Sequence, residues 1–323
     1  MSNTLPISVL TGFLGSGKTT FLRRVLASPE MAETAVVINE FGTVGLDHLL
    51  VRASPDEIVQ LASGCLCCAV RGDLVRTLHN LLARRSEGGL PRFRRIAIET
   101  SGLAEPAPIL YTLAADAWLE QELRFDTLLT VVDAVAGLAA LDRYAEATAQ
   151  AVLADRLLVT KTDLAPAPSE LIARLEAINP SAEIEDGQSV GSPATTLFAA
   201  ATDASPRLLP RRLWSAPAHA HGVATLAVAL RRPMTRLDFA RALGGLARER
   251  GEDLLRVKGI VEFADDPGHP AAIHAVRHTL HPPEWFETWP DDNQTSRLVF
   301  ITREIEAEDL LARFAPGDPE VLR

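Results

Sequence analysis

The stretch Gly12-Phe13-Leu14-Gly15-Ser16-Gly17-Lys18-Thr19 decides the fold. It fits the pattern of a glycine, four residues, then Gly-Lys-Ser/Thr, and it stands between an apolar run at 7–11 and a helical pattern at 19–26. A strand, a glycine-rich loop and a helix in that order form a phosphate cradle: the backbone N–H groups turn inward and the helix N-terminus adds a favourable dipole. Gly12, Gly15, Ser16, Gly17, Lys18, Thr19 and Thr20 are therefore the expected nucleotide contacts. The Lys18 ammonium reaches the β- and γ-phosphates, and the Thr19 hydroxyl completes a magnesium shell.

Outward from this loop, short apolar runs alternate with longer helical patterns. Strands are expected at 7–11, 35–39, Arg95–Thr100, 128–133 and Arg156–Thr160, rich in Val, Ile and Leu and without strict alternation. That texture suits parallel strands buried on both faces. Leu74, Leu78, Leu81 and Leu82 mark a helix over 70–85, and Leu171, Leu175 and Ile178 mark another over 170–178. Between 202 and 222 the prolines 206, 210 and 217 break all periodicity. Beyond, strands at Val223–Leu230, Leu254–Phe263 and 297–302 and helices at Arg236–Arg250 and 304–314 suggest a smaller domain. The expectation is an α/β chain: a P-loop domain with a mainly parallel sheet at 1–203, a linker at 204–222 and an α+β domain at 223–323.

Composition sets the partner classes. The chain has 323 residues and a net charge of −10, with 47% hydrophobic and 23% charged residues, a soluble globular balance. So acidic a chain lacks the positive field that nucleic acid or an anionic membrane requires. There is neither an export signal at the start nor an apolar run of membrane-spanning length, so a cytoplasmic protein is expected.

Two further segments specify the nucleotide. Thr160-Lys161-Thr162-Asp163 ends a strand and resembles the Asn-Lys-x-Asp guanine motif of GTPases. Asp163 is the carboxylate that accepts from guanine N1–H and the exocyclic amine, and the Lys161 stem packs over the ring. Glu99 ends the strand Arg95–Thr100, where it can hold a magnesium-bound water, and the N–H of Gly102 can sense the γ-phosphate. Lys18, Glu99 and Gly102 are the expected catalytic set, and GTP is expected over ATP.

Cys65, Cys67 and Cys68 are every cysteine in the chain. Three soft thiolates in four residues suit Zn²⁺ or a similar divalent ion, with a water or one outside donor completing a tetrahedron. A redox-sensing thiol cluster is the alternative. His219 and His221, spaced by one residue in the linker, are a weaker metal-loading candidate, and the other histidines show no ligand spacing.

Taken in order, Gly12–Thr20, Asn39-Glu40-Phe41-Gly42, Gly64–Cys68, Glu99–Gly102 and Thr160–Asp163 resemble the CobW family of metal-handling P-loop GTPases. The segment 254–259, Trp285 and the run 297–301 resemble that family's C-terminal domain. The resemblance implies a slow GTPase whose cysteine motif binds zinc, or Co²⁺ or Ni²⁺, and whose nucleotide state gates metal release to a client metalloprotein. It also implies that segment 39–42 is a switch joining nucleotide and metal loop, with Asp47 a magnesium contact. Many members carry acids where this chain has Ile38 and Thr43. Left open are the client, the oligomeric state (a homo-oligomer among the options), a metal-buffering protein with vestigial hydrolysis, and a P-loop ATPase or kinase with incidental thiols.

Overall fold

The structure is a computed structural model that describes residues 4–39, 48–54, 57–62, 72–190, 192–198 and 222–322. The chain divides into two compact units, Met1–Leu171 with Ile184–Ala204, and Ile172–Glu183 with Ser205–Arg323.

In chain order the first part forms β1 (Leu5–Gly12), α1 (Lys18–Ala27), β2 (Thr34–Asn39), β3 (His48–Ser54), β4 (Glu57–Ala62) and α2 (Gly72–Ser86). It continues with β5 (Arg95–Thr100), α3 (Ala107–Ala115), α4 (Ala117–Glu122), β6 (Leu123–Asp133), α5 (Gly137–Arg143) and α6 (Ala145–Leu153). Then come β7 (Arg156–Thr160), α7 (Ser169–Ile178), β8 (Glu183–Asp186) and α8 (Pro193–Leu197). The strands make an eight-stranded sheet in the order β4-β3-β2-β5-β1-β6-β7-β8.

From β2 through β7 every pairing is parallel. The central strands are buried on both faces, and Ile7, Val9, Leu10, Ile96, Ala97 and Ile98 are all inaccessible. That explains their unbroken apolar composition. Helix α1 lays Phe21, Leu22, Val25 and Leu26 into a core shared with Leu10, Val36, Leu129, Val131 and Phe198. Its outward face carries Arg23 and Arg24, so one apolar stripe at helical spacing suffices to seat it. Helix α2 buries Leu74, Leu78, Leu81 and Leu82 as the periodicity predicts.

At one edge β3 and β4 form an antiparallel hairpin beside β2. The runs HLLVR and EIVQL around Ser-Pro-Asp at 54–56 carry that hairpin in their sequence. The sequence expectation lacked both strands.

The second part forms β9 (Val223–Leu230), α9 (Arg236–Arg250), β10 (Leu254–Phe263), β11 (Asp266–Val276), β12 (Thr279–Leu280), β13 (Glu284–Trp285), β14 (Ser296–Arg303), α10 (Ala307–Arg313) and β15 (Pro319–Val321). Its sheet runs β12-β11-β10-β14-β9-β15, with β13 on β11, and these pairings are antiparallel. Helix α9 begins where the sequence says it should. Thr235 accepts from the Asp238 N–H at 3.1 Å, and its hydroxyl donates to the Asp238 carboxylate at 2.8 Å, a cap that satisfies an otherwise unbonded first-turn donor. Phe239, Leu243 and Leu246 then pack with Val257, Phe300 and Phe314. Strand β11 was missed because Asp266-Pro267-Gly268-His269-Pro270 reads as a turn. Its first half is exposed, and its buried half is made of small residues and Ile273.

Strand β10 approaches β14 closely at Gly259, where a Cβ would lie 2.2 Å from the Arg297 carbonyl oxygen and 2.7 Å from Leu298 Cδ2. Gly259→Ala is therefore expected to destabilise the second unit by about 1–3 kcal/mol, seen as an earlier unfolding transition in calorimetry. An unshifted transition would contradict this packing.

Candidate functional site

The loop between β1 and α1 is built at the carboxyl end of the central strand. Gly12 has φ 144°, and a Cβ there would stand 2.3 Å from the Val131 carbonyl oxygen and 2.8 Å from Ser16 Oγ, so only glycine lets the chain turn over β6. Gly15 (φ 73°) and Gly17 (φ 94°) continue the turn, and Gly17 is the N-cap of α1. Lys18 is buried, and its ammonium donates to the carbonyls of Gly12 at 2.8 Å and Phe13 at 3.1 Å. The side chain thus folds back along the loop whose phosphate contacts it is expected to share. Thr19 and Thr20 lie exposed in the first turn of α1.

Glu99 sits at the carboxyl end of β5, beside β1, and is 2% exposed. The Thr19 hydroxyl donates to its Oε1 at 2.6 Å. An alcohol and a carboxylate held together at a helix N-terminus are hard oxygen donors of the kind Mg²⁺ takes, and the glycine loop next to them provides the anion side. These residues fit a magnesium nucleotide. One position further along β5, Thr100 donates to Thr11 at 2.8 Å, which ties the two strand ends.

The loop after β5 touches the glycine loop directly. A Cβ on Gly102 would fall 2.8 Å from the Leu14 backbone nitrogen and 2.9 Å from its Cα. Gly102 is thereby placed against the glycine loop.

On the other side of β1, β7 ends at Thr160. Its hydroxyl donates to the Ser16 carbonyl oxygen at 2.6 Å, with Val132 O a longer neighbour at 3.2 Å. The residue that stands in place of the motif's usual Asn thus pins the loop after β7 to the glycine loop. Lys161 follows with φ 61°, a left-handed backbone uncommon outside glycine. Its ammonium donates to Asp133 Oδ2 at 2.6 Å.

Asp133 ends β6, and sequence reasoning passed over it as a functional group. Burial opposes its ionisation, but bonds from Lys161, Val135 N–H and Ala136 N–H, with the Lys161 charge, hold its carboxyl below the usual aspartate range. The argument that singled out Glu99, an acid ending an apolar strand, applied equally to Asp133.

Asp163 is exposed and accepts from Gln188 Nε2 at 3.2 Å. Gln188 lies in the turn after β8. There Asp186 accepts from the Thr162 hydroxyl at 2.6 Å and from the Gln188 N–H at 2.9 Å, and these two bonds, the Thr162 one foremost, hold its carboxyl low. The Gly187 carbonyl accepts from Arg24 at 2.6 Å. This second loop carries no local motif, because its pairing to Thr162 and Asp163 spans more than twenty residues.

Cys65, Cys67 and Cys68, segment 40–47 with Asp47, and His219 and His221 lie outside the described residues, and Asn39 ends β2. Among the described residues no three His, Cys, Asp or Glu side chains gather as a metal cluster, and no helix is long and apolar enough to cross a membrane.

Comparison with known proteins follows the two parts of the chain. Residues 6–186 match the family described as CobW/HypB/UreG, nucleotide-binding domain, and residues 223–316 match the cobalamin synthesis protein cobW C-terminal domain. The chain is 31% identical over 320 residues to the zinc chaperone YjiA of Escherichia coli, an alignment covering 97% of this chain and 98% of that protein. It is 39% identical over 140 residues to the zinc chaperone CobW of a Sinorhizobium species, covering 41% of this chain and 37% of that one. The crystal structure of Zn(II)-bound YjiA GTPase from E. coli superposes with a TM-score of 0.75 at 27% identity, over 97% of this chain and 98% of that chain.

Thr160→Val removes the bond to Ser16 and leaves that carbonyl without its donor. It is expected to destabilise the first unit by about 1–3 kcal/mol, measured as a lower urea midpoint. A variant with the wild-type midpoint would show that the two loops are held together by other means.

Proposed function

Because the chain belongs to the CobW/HypB/UreG family of nucleotide-binding proteins, we propose that it is a magnesium-dependent GTPase that carries zinc, or Co²⁺ or Ni²⁺, to a client metalloprotein. Residues 1–203 form the nucleotide domain, 204–222 the linker and 223–323 the C-terminal domain. Cys65, Cys67 and Cys68 hold the metal, and the nucleotide state sets how tightly they do so. The observation that carries the nucleotide half is the 2.6 Å bond from Thr19 to Glu99 beside the glycine loop. The whole-chain similarity to a zinc chaperone supports the metal half.

In this reading Gly12 through Thr20 cradle the phosphates, and Lys18 leaves the Gly12 and Phe13 carbonyls for the β- and γ-phosphate oxygens. Thr19 and Asp47 would hold magnesium, and Glu99, bonded to Thr19, would steady that end of the site. When bound, magnesium supplies positive charge between the β- and γ-phosphates. Asp163 reads the guanine edge, with Gln188 steadying its carboxylate, and the Lys161 stem, tethered by Asp133, covers the ring.

A water oxygen bonds to the γ-phosphorus as the bond to the β–γ bridging oxygen breaks, giving GDP and inorganic phosphate. The Gly102 N–H would meet the γ-phosphate, so loss of that phosphate removes one of the contacts that hold the loop that follows. With no arginine among these groups, turnover is slow unless a client or metal accelerates it.

Zinc affinity measured by chelator competition tests the coupling. With magnesium and a non-hydrolysable GTP analogue the affinity is expected to differ at least tenfold from that with GDP, and a Cys65, Cys67 and Cys68→Ser triple variant is expected to keep GTP while losing zinc. Equal affinities in the two nucleotide states would sink the coupling, and undiminished zinc binding by the triple variant would sink the assignment of the site.

A further inference from the structure

Gln150 is 1% exposed, in the middle of α6, and no role has been given to it above. Its Nε2 donates to two loop carbonyls one residue apart, Gly102 O at 3.1 Å and Ala104 O at 3.0 Å. Its own backbone carbonyl accepts from Thr130 on β6 at 2.8 Å. The amide is thus anchored to the sheet from behind and grips the loop after β5 at two points. A buried amide that spends both N–H groups on one irregular loop fixes that loop, because releasing it would strand two donors away from water.

The other end of the side chain reaches towards the phosphate loop. Gln150 Oε1 and Ser16 Oγ are both buried, and neither meets a hydrogen-bond partner among the described residues. Both residues line one pocket of about 40 Å³, with Phe13, Leu14 and Asp133.

We infer that Gln150 is the positioning residue for γ-phosphate sensing: it sets the height of the Gly102–Ala104 backbone over Leu14. This rests on the GTPase reading of the site, since it assumes that the Gly102 N–H meets the γ-phosphate. Gln150 touches neither nucleotide nor metal. Its effect falls on the nucleotide that has a γ-phosphate and spares the one that lacks it. A glutamine that merely filled the core would affect both nucleotides alike.

The test is the ratio of affinities for a non-hydrolysable GTP analogue and for GDP, with magnesium, in the full chain and in Gln150→Met, which keeps the volume and removes both donors. Gln150→Leu, which likewise has no donor, is the second variant should the first fail to fold. The expected result is a loss of about tenfold in analogue affinity with GDP affinity within twofold of wild type, and a matching fall in single-turnover GTP hydrolysis. A wild-type ratio in either folded variant, or an equal loss for both nucleotides, overturns the inference while leaving the functional reading intact. A wild-type chain that fails to bind GTP overturns that reading and the inference with it.

Discussion

The hydrogen bond from Thr19 to Glu99 joins the two halves of the nucleotide site, and the rest of the arrangement depends on it. Thr19 is brought to its place by the glycine loop, which turns only because Gly12 passes within touching distance of β6. Glu99 is brought to its place by β5, whose apolar residues are buried on both faces of the sheet. A carboxylate at 2% exposure is tolerable only with bonds to compensate its lost hydration, and Thr19 provides one at 2.6 Å. The same pair of oxygens then offers a divalent cation what it needs.

Around that bond the site is braced by side chains rather than by a closed shell of structure. Thr160 holds the guanine loop to Ser16, Thr100 holds β5 to β1, and Gln150 holds the loop after β5 to α6. Each is a single neutral hydrogen bond, or two, worth about 1 kcal/mol net. Such contacts are strong enough to define one geometry and weak enough to be re-set by a phosphate group, whose charge-assisted bonds are roughly twice as strong. Lys161 differs: an ion pair to Asp133 and a left-handed backbone hold it in one place at the end of β7.

The sequence was most legible where chemistry and backbone geometry coincide. Gly12 to Thr19, Glu99, and Lys161 with Asp163 stood out because each lies at or just past a strand end and obeys a local spacing rule, and the structure sets them on the same edge of one sheet. The parallel core strands were legible from their unbroken apolar runs. What escaped has physical reasons. Strand β8 is short and acidic, β11 opens with prolines and an exposed first half, and the β3–β4 hairpin was hidden between two motifs. Thr160 to Ser16, Gln188 to Asp163 and Gln150 to Gly102 are long-range pairings, which no local window reveals. Asp133 was within reach of the reasoning that found Glu99.

The central claim is that Thr19 and Glu99 together form the magnesium end of a GTP site. The most direct measurement is a crystal structure of the full chain with magnesium and a non-hydrolysable GTP analogue. The account predicts the Thr19 hydroxyl bonded to the metal, Glu99 one water away from it, and the guanine edge on Asp163. A metal held without either Thr19 or Glu99, or a base lodged away from Asp163, would contradict it.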